Sequence, residues 1–324
     1  MVNVMFYEVF REEEEALRSF LPDHVEALFT GKTIQESGDK DLPASLISIR
    51  TQSRVPLVWA AAGLKGILTR SAGYDHLLAY RREIGKKIPC GNLPDYCSRA
   101  VAEQAVLMMM TLLRKMKTQI KNFETFDRDH LTGDECMNKN LFVIGVGHIG
   151  SQVVDIGRGL RMNVRGFDIV KRISDLRYME LVEGLQWANA AVCALPLTPK
   201  TKGLLNYELF KQAKILGAFI NISRGEISPL EDLRRLLDEQ TICALGMDVY
   251  ENENVLGAAL RGGAPSKDKK FRMIQELAAR DNVLFTPHNA FNTHESVERK
   301  ADLSMKAILS FMDNGIFPDP IPDE

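Results

Sequence analysis

The chain alternates short, continuous apolar runs with longer amphipathic stretches, most regularly beyond residue 140. Leu141–Ile144, Val164–Phe167, Ala191–Leu195, Ala218–Ile222, Ile242–Met247 and Val283–Thr286 are each too short for a helix, and they read as strands buried on both faces. Between them lie helical patterns such as Pro229–Asp238. Strands separated by helices build a parallel sheet covered on both sides, and such sheets take ligands at the carboxyl ends of their strands. The first hundred residues follow the same scheme, with Asn3–Phe6 and Leu46–Ile49 as strands and Glu14–Phe20 as an amphipathic helix. Pro89, Gly91 and Pro94 mark a loop near a domain boundary. Beyond it, Arg99–Lys117 has no Gly or Pro and is dense in Ala, Met and Leu, which predicts one long helix. Its apolar width suits burial on more than one side, either inside its own domain or against a second subunit. Ala264–Arg280 is predicted as an excursion with a short helix, its role not readable. The pattern therefore predicts an α/β protein of two domains with doubly wound parallel sheets. Residues 1–98, completed by 292–324, form one domain and 99–291 the other.

Composition narrows the class. A chain of 324 residues with 45% hydrophobic and 26% charged residues is ordinary for a globular protein with two cores. A formal charge of −2 offers no broad attraction to nucleic acid or to an anionic membrane. The apolar stretch Ala105–Leu113 is too short to span a bilayer, and the opening "MVNVMFYEVFREEEE" has no basic start or continuous apolar core of a secretory signal. Five cysteines without CxxC spacing suggest neither a disulfide framework nor a metal site; Cys193 and Cys243, inside apolar runs, are expected to be buried thiols. Together these features fit a reducing cytoplasm.

The segment "LFVIGVGHIG" (Leu141–Gly150) follows a buried strand with glycines at the spacing of a dinucleotide loop. Gly145 permits the tight turn, Gly147 lets backbone approach a pyrophosphate, and Gly150 lets the next helix pack on the strand. The amides of His148 and Ile149 at the helix N-terminus are the expected donors to the anion. Asp168 ends the next strand eighteen residues after Gly150, the placement of an acid that hydrogen-bonds the adenosine ribose. An acid there repels a 2′-phosphate and favours NAD over NADP; Lys171 and Arg172, close behind, weaken that preference unless they are simply solvated. Three further segments deliver functional groups at strand ends. "NISRGEI" projects Arg224, whose fork can hold a carboxylate and polarise an adjacent carbonyl. "GMDVYENE" carries Glu253, and "TPHNAFNT" carries His288 behind a proline. Histidine can donate a proton to a carbonyl oxygen, and a carboxylate partner favours its charged form. Each alone reads more readily as a solvated or loop residue, but their joint occurrence at strand ends behind a dinucleotide loop reverses that and points to nicotinamide-dependent hydride transfer.

These segments, with "ISIRTQS", "TRSAGYDHL", "AVAEQAV" and "PLTPKTKGLLN", resemble the D-isomer-specific 2-hydroxyacid dehydrogenases, most closely the D-lactate dehydrogenase-like members. The resemblance implies two Rossmann-like domains with the active site in the interdomain cleft. It implies catalytic roles for Arg224, Glu253 and His288, a place for Asp248 at the nicotinamide end of the cofactor, and a place for Thr198 in the cofactor loop. It also implies that the Ala72 and Gly73 amides receive the substrate carboxylate, that Tyr96 and Phe291 line the substrate pocket, and that the protein is a homodimer built on the cofactor domains. The reaction implied is reversible hydride transfer between NADH and a small 2-keto acid, with domain closure about hinges near Tyr96–Arg99 and Phe291–His294. The continuation "SRGEIS" and the loop "LPDYCSRAVAEQ" depart from the commoner family pattern and leave substrate choice open. Phosphoglycerate, glyoxylate and phosphite dehydrogenases of the same fold remain alternatives, as does a dinucleotide-sensing corepressor. In the 3-phosphoglycerate members that "ISIRTQS" resembles, an arginine matching Arg50 contacts the distal phosphate, whereas Gln52 stands where a second arginine is expected. That implies a pocket for a polar or singly anionic distal group, unless Arg50 pairs with an acid such as Asp75 or Glu103.

Overall fold

A computed structural model describes residues 2–262 and 269–322. The chain divides into two compact units, Met1–Cys97 with Asn292–Glu324, and Ser98–Phe291. The first holds the parallel strands β1 (Val4–Phe6), β2 (Ala27–Phe29), β3 (Leu46–Ile49), β4 (Gly66–Thr69) and β5 (Cys90–Gly91), in the order β2-β1-β3-β4-β5. Continuous apolar strands give the core, in which Ile47, Ile49, Ile67, Trp59 and Leu77 are fully buried. The helix His294–Asn314 returns to this unit, and it begins where the Thr293 side chain accepts the Ser296 amide and ends at Gly315 in the left-handed region. It lies so close to β4 that a Cβ on Gly66 would stand 2.5 Å from the Phe311 ring. Only glycine allows that approach.

The second unit holds seven parallel strands: β6 (Asn140–Ile144), β7 (Asn163–Phe167), β8 (Arg177–Tyr178), β9 (Ala190–Cys193), β10 (Ala218–Asn221), β11 (Leu245–Met247) and β12 (Val283–Phe285). Their order is β12-β11-β10-β9-β6-β7-β8. The direction of winding reverses at β6, which pairs with β7 on one side and β9 on the other. In sheets of this kind the crevice at that switch point is the ligand site.

Three expectations need correction. The long helix stops at Leu113, and a separate helix spans Met116–Asn122. Between them Lys115 is left-handed (φ 52°), and the Leu113 carbonyl accepts the Asp134 amide at 2.9 Å instead of continuing a helical ladder. Lys117 Nζ meanwhile donates to the Ala278, Arg280 and Val283 carbonyls at 3.0, 2.6 and 2.8 Å, anchoring the new direction. Cys193 is buried as expected, but Cys243 is exposed. The third is that β11 begins at Leu245; Ile242 forms only an isolated bridge to Leu216 and turns inward, leaving its neighbour outside. Of the predicted excursion, residues 264–268 lie outside the described residues, and the helix Lys269–Ala278 packs Phe271 and Leu277 into the unit. Among the described residues no helix is long and apolar enough to cross a membrane.

Candidate active site

At the switch point, β6 runs into Gly145, which is left-handed (φ 96°). A Cβ there would stand 2.7 Å from the Ala194 backbone, and one on Gly150 would stand 1.9 Å from the Gly145 carbonyl oxygen. The first and third glycines are therefore demanded by packing. Gly147 differs, because a Cβ on it would meet nothing within 4 Å. It is also the N-cap of the helix His148–Gly159, which has no side-chain cap, so the helix end presents amides and its partial positive charge to an open face. Asp168, just beyond β7, accepts the Val146 amide on Oδ2 at 2.7 Å and the Val170 amide on Oδ1 at 2.9 Å. Its carboxylate thus ties the glycine loop to the second strand, and further lone pairs remain to accept from a ribose. After β9, Thr198 and Thr201 share a hydroxyl contact at 3.0 Å while Thr201 Oγ1 reaches the Pro196 carbonyl, closing the loop over which a cofactor would lie. An open glycine, an uncapped helix end and a carboxylate beside them fit a dinucleotide.

The groups for chemistry gather at the carboxyl ends of β10, β11 and β12. Asn221, the buried last residue of β10, uses Nδ2 to hold the Arg224 carbonyl and the Ser228 hydroxyl, and uses Oδ1 to accept the Ser223 amide. The Ser223 hydroxyl donates to the Leu195 carbonyl. The turn is pressed against β11's extension, since a Cβ on Gly225 would lie 2.2 Å from the Tyr250 carbonyl carbon. Arg224 is thereby held near Glu253. Glu253 accepts the Tyr250 amide on Oε1 at 3.0 Å and meets His288 Nδ1 through Oε2 at 2.6 Å. Burial works to raise the Glu253 carboxyl, but the charge and hydrogen bond of His288, the Tyr250 amide and the Arg224 charge outweigh it and hold the group below the usual carboxylate range. Glu251 is engaged elsewhere, in an ion pair with Lys270.

His288 sits in the left-handed region (φ 50°), uncommon for a residue with a Cβ and found where surrounding structure enforces it. The enforcing group is Asp248. Its Oδ1 accepts the Thr286 hydroxyl at 2.5 Å and the Asn289 amide at 2.9 Å, and its Oδ2 accepts the Ala290 amide at 2.9 Å. Burial nevertheless raises the Asp248 carboxyl above its ordinary value, outweighing those bonds and the His288 charge. Phe291, next along, is buried.

In the first unit, the carbonyls of the turn after β4 are held by side chains: Asn92 Nδ2 donates to the Ala72 carbonyl at 3.0 Å and Ser71 Oγ to the Gly73 carbonyl at 2.7 Å. Arg50 follows β3 directly, its guanidinium carbon 6.0 Å from the Phe10 ring centroid. Glu103, one acid considered for it, forms an exposed pair with Arg99 at 2.6 Å. Tyr96 is buried, with Lys300 Nζ 5.8 Å from its ring centroid.

The NAD binding domain of the D-isomer specific 2-hydroxyacid dehydrogenases matches residues 105–290, more than half of the chain. The chain belongs to that family. It is 33% identical to a 2-hydroxyacid dehydrogenase homolog of Haemophilus influenzae over 77% of this chain and 76% of that one. It is 35% identical to the D-lactate dehydrogenase of Escherichia coli over 72% of each. The crystal structure of an Aquifex aeolicus D-lactate dehydrogenase, complexed with NAD and lactic acid, superposes with a TM-score of 0.83 at 29% identity, covering 98% of this chain and 99% of that one. The cofactor of this 2-hydroxyacid dehydrogenase is NAD, and its class is that of oxidoreductases acting on CH–OH groups.

Within this dehydrogenase fold, sequence reasoning missed the supporting groups. Asn221, placed at a strand end in "FINIS", was a legible signal, because a buried asparagine there needs turn partners. The clamp that Asp248 places on the histidine loop left no local sign, since its partners lie about forty residues away.

Proposed function

We propose that this chain reduces a small 2-keto acid to the D-2-hydroxy acid, reversibly, with Arg224, Glu253 and His288 as its catalytic residues. The observation that carries the reading is the 2.6 Å contact between Glu253 Oε2 and His288 Nδ1 beside Arg224, at the carboxyl edge of an NAD-binding sheet. With Nδ1 engaged, Nε2 is the atom that protonates the alkoxide as it forms, and Glu253 stabilises the charged ring. Arg224 orients the carboxylate and polarises the carbonyl; the Ala72 and Gly73 amides of the first unit receive the other carboxylate oxygen. Bound NADH supplies the hydride. Asp168 holds the ribose, the His148 and Ile149 amides the pyrophosphate and Asp248 the nicotinamide end, with Thr198 in the cofactor loop, while Tyr96 and Phe291 bound the substrate. The first unit, with its return segment, is the substrate-binding domain and the second the NAD domain.

Leu107, Met110, Met116, Ile120 and Phe123 are large apolar residues left exposed on and after the helix Ser98–Leu113. They support a homodimer built on the second unit, since a monomer rarely leaves so many on one stretch. The usage of free thiols supports a cytoplasmic enzyme. The test is NADH oxidation with a panel of 2-keto acids and chiral analysis of the product, with sedimentation for the oligomer. No oxidation with any 2-keto acid, or an L product, refutes the reading.

A further inference from the structure

The helix Lys269–Ala278, whose role the sequence leaves unread, carries a lysine that reaches both turns of the candidate active site. Lys270 Nζ forms an ion pair with Glu251, just before Glu253, and lies 3.7 Å from Glu231 Oε1. Glu231 stands in the first turn of the helix Leu230–Asp238, shortly after Arg224. One cation from the excursion thus ties the segment of Glu253 to the segment of Arg224.

Both segments are built to transmit such a tie. Between Arg224 and Glu231 the backbone is compact: the Ile227 amide donates to the Arg224 carbonyl at 3.3 Å and the Ser228 amide to the Gly225 carbonyl at 3.1 Å. Asn221 Nδ2 holds the Arg224 carbonyl and the Ser228 hydroxyl together at the root of this turn. On the other side, Glu251 sits between Tyr250, whose amide meets Glu253 Oε1, and Asn252, which is left-handed (φ 54°). A Cβ on Gly225 would stand 2.3 Å from the Glu251 nitrogen, so the two turns are in direct contact.

Packing alone does not fix this place. A cavity lined by Gly225, Ser228, Tyr250, Glu251, Lys270 and Ile274 lies against the two turns and leaves them room to shift. A displaced turn would carry Glu253 away from His288 Nδ1, and that contact of 2.6 Å tolerates little displacement. The Lys270 side chain is 41% exposed and that of Glu251 19%, and ion pairs so open to water add little to folding stability. What the pair supplies is direction, because its cation stands on a helix that Phe271 and Leu277 anchor in the unit.

We propose that Lys270 is a positioning residue: by bridging Glu251 and Glu231 it locks the turns that carry Glu253 and Arg224, and so keeps Glu253 on the His288 ring. This rests on the function proposed above, which gives those groups their catalytic roles, and the experiment separates the two.

Lys270→Met should lower kcat for keto-acid reduction about tenfold, the scale of a small misplacement, while NADH affinity and melting temperature stay close to native. Lys270→Arg should restore most of the loss, since a guanidinium can serve both carboxylates. Glu251→Gln should reproduce the loss, and the double variant should lose no more than the worse single one, as two groups acting through one contact do. Should Lys270→Met not fold, Lys270→Gln with Glu251→Gln carries the same comparison. A readout independent of turnover is the NMR signal of the His288 ring, assigned by its disappearance in His288→Ala. It should move in Lys270→Met and return in Lys270→Arg. Native kcat in Lys270→Met, losses that multiply in the double variant, or an unmoved ring signal overturns this inference alone. Failure of the native enzyme to oxidise NADH with every keto acid overturns the proposed function, and the ring signal then still decides whether Lys270 positions the pair.

Discussion

Glu253 Oε2 and His288 Nδ1 are 2.6 Å apart, although His288 must occupy left-handed backbone to make that contact. The pair is thus held by the fold before any substrate arrives, which keeps the ring proposed as proton donor oriented. His288→Ala should lower kcat by about a hundredfold or more, the usual weight of general acid catalysis. Binding of NADH, measured by fluorescence titration, should change little, because the glycine loop lies elsewhere on the sheet. A comparable loss of cofactor affinity would show that His288 organises the cofactor site instead.

Glu253→Gln keeps a side chain of the same shape but removes the charge. The amide can still meet Nδ1 but no longer balances the charge of the ring as it donates its proton, so kcat for keto-acid reduction should fall, toward but not beyond the roughly hundredfold loss of His288→Ala. A native kcat contradicts the coupling.

Asp168, which accepts from Val146 and Val170, is the acid proposed to hold the adenosine ribose. The native enzyme should prefer NADH to NADPH by tenfold or more in kcat/KM, about 1.4 kcal/mol. Asp168→Ser should shrink that ratio by lowering NADH use. Equal efficiency of the two cofactors in the native enzyme would remove the role given to this acid.

Gly225→Ala would place a carbon 2.2 Å from the backbone of Tyr250, where neither chain has a flexible side chain to yield. Melting should show a loss of about 1–3 kcal/mol, the cost of overpacking. Activity should fall further than stability explains, since the same turn carries Arg224. Native activity in the folded variant would mean the arginine's place does not depend on that packing.

The buried charges of the first unit predict the pH dependence of stability. Glu13 is held down to about 2 from an ordinary 4.5: burial opposes the shift, and Arg70, Lys300 and Arg50 overcome it. Its contribution is complete above pH 4.5 and is lost as pH falls toward 2. Lys300 behaves oppositely to a gained ion pair. Its ammonium is depressed from 10.5 to about 7, so the unfolded chain binds the extra proton between those values, and stability from this group rises with pH across that window. The groups around it are Glu13, Arg50, Arg70, Tyr96 and Cys97. Urea denaturation of Glu13→Gln should show a loss of about 3–5 kcal/mol at neutral pH and a flatter acid limb. Lys300→Met should flatten the slope from pH 7 to 10.5, and an undiminished slope would place the titration elsewhere.

Six of the seven strands of the second sheet and its glycine loop were legible because glycine spacing and buried strands leave local marks, whereas β8, two residues that are not buried at the sheet edge, leaves none. The break at Lys115 was not, because it depends on a carbonyl diverted to Asp134 rather than on Gly or Pro. Glu13 reads as one acid in the run Glu12–Glu15, and nothing local says that it alone is fully buried. Its partners stand in distant segments, Arg70 after β4 and Lys300 in the helix His294–Asn314. Asp248 was singled out for the cofactor; its hold on the His288 loop needed the strand order. Short-range chemistry is written in the sequence, whereas a charge shared across elements exists only once they pack.

Glycine at position 66 and the return of the chain at residue 292 also set an order of events during synthesis. Residues 98–291 leave the ribosome before the helix that carries Lys300 to Glu13 and Phe311 to Gly66 has been translated. The nascent chain therefore reaches a stage with a complete NAD domain and an unfinished five-stranded sheet, whose Glu13 and Arg70 still share water with an open helix face. Folding of the N-terminal segment is completed from its far end, across most of the chain's length, and long-range closure of this kind is slow. Cofactor binding can thus precede completion of the first unit, and the unfinished sheet is the surface that a chaperone would have to guard.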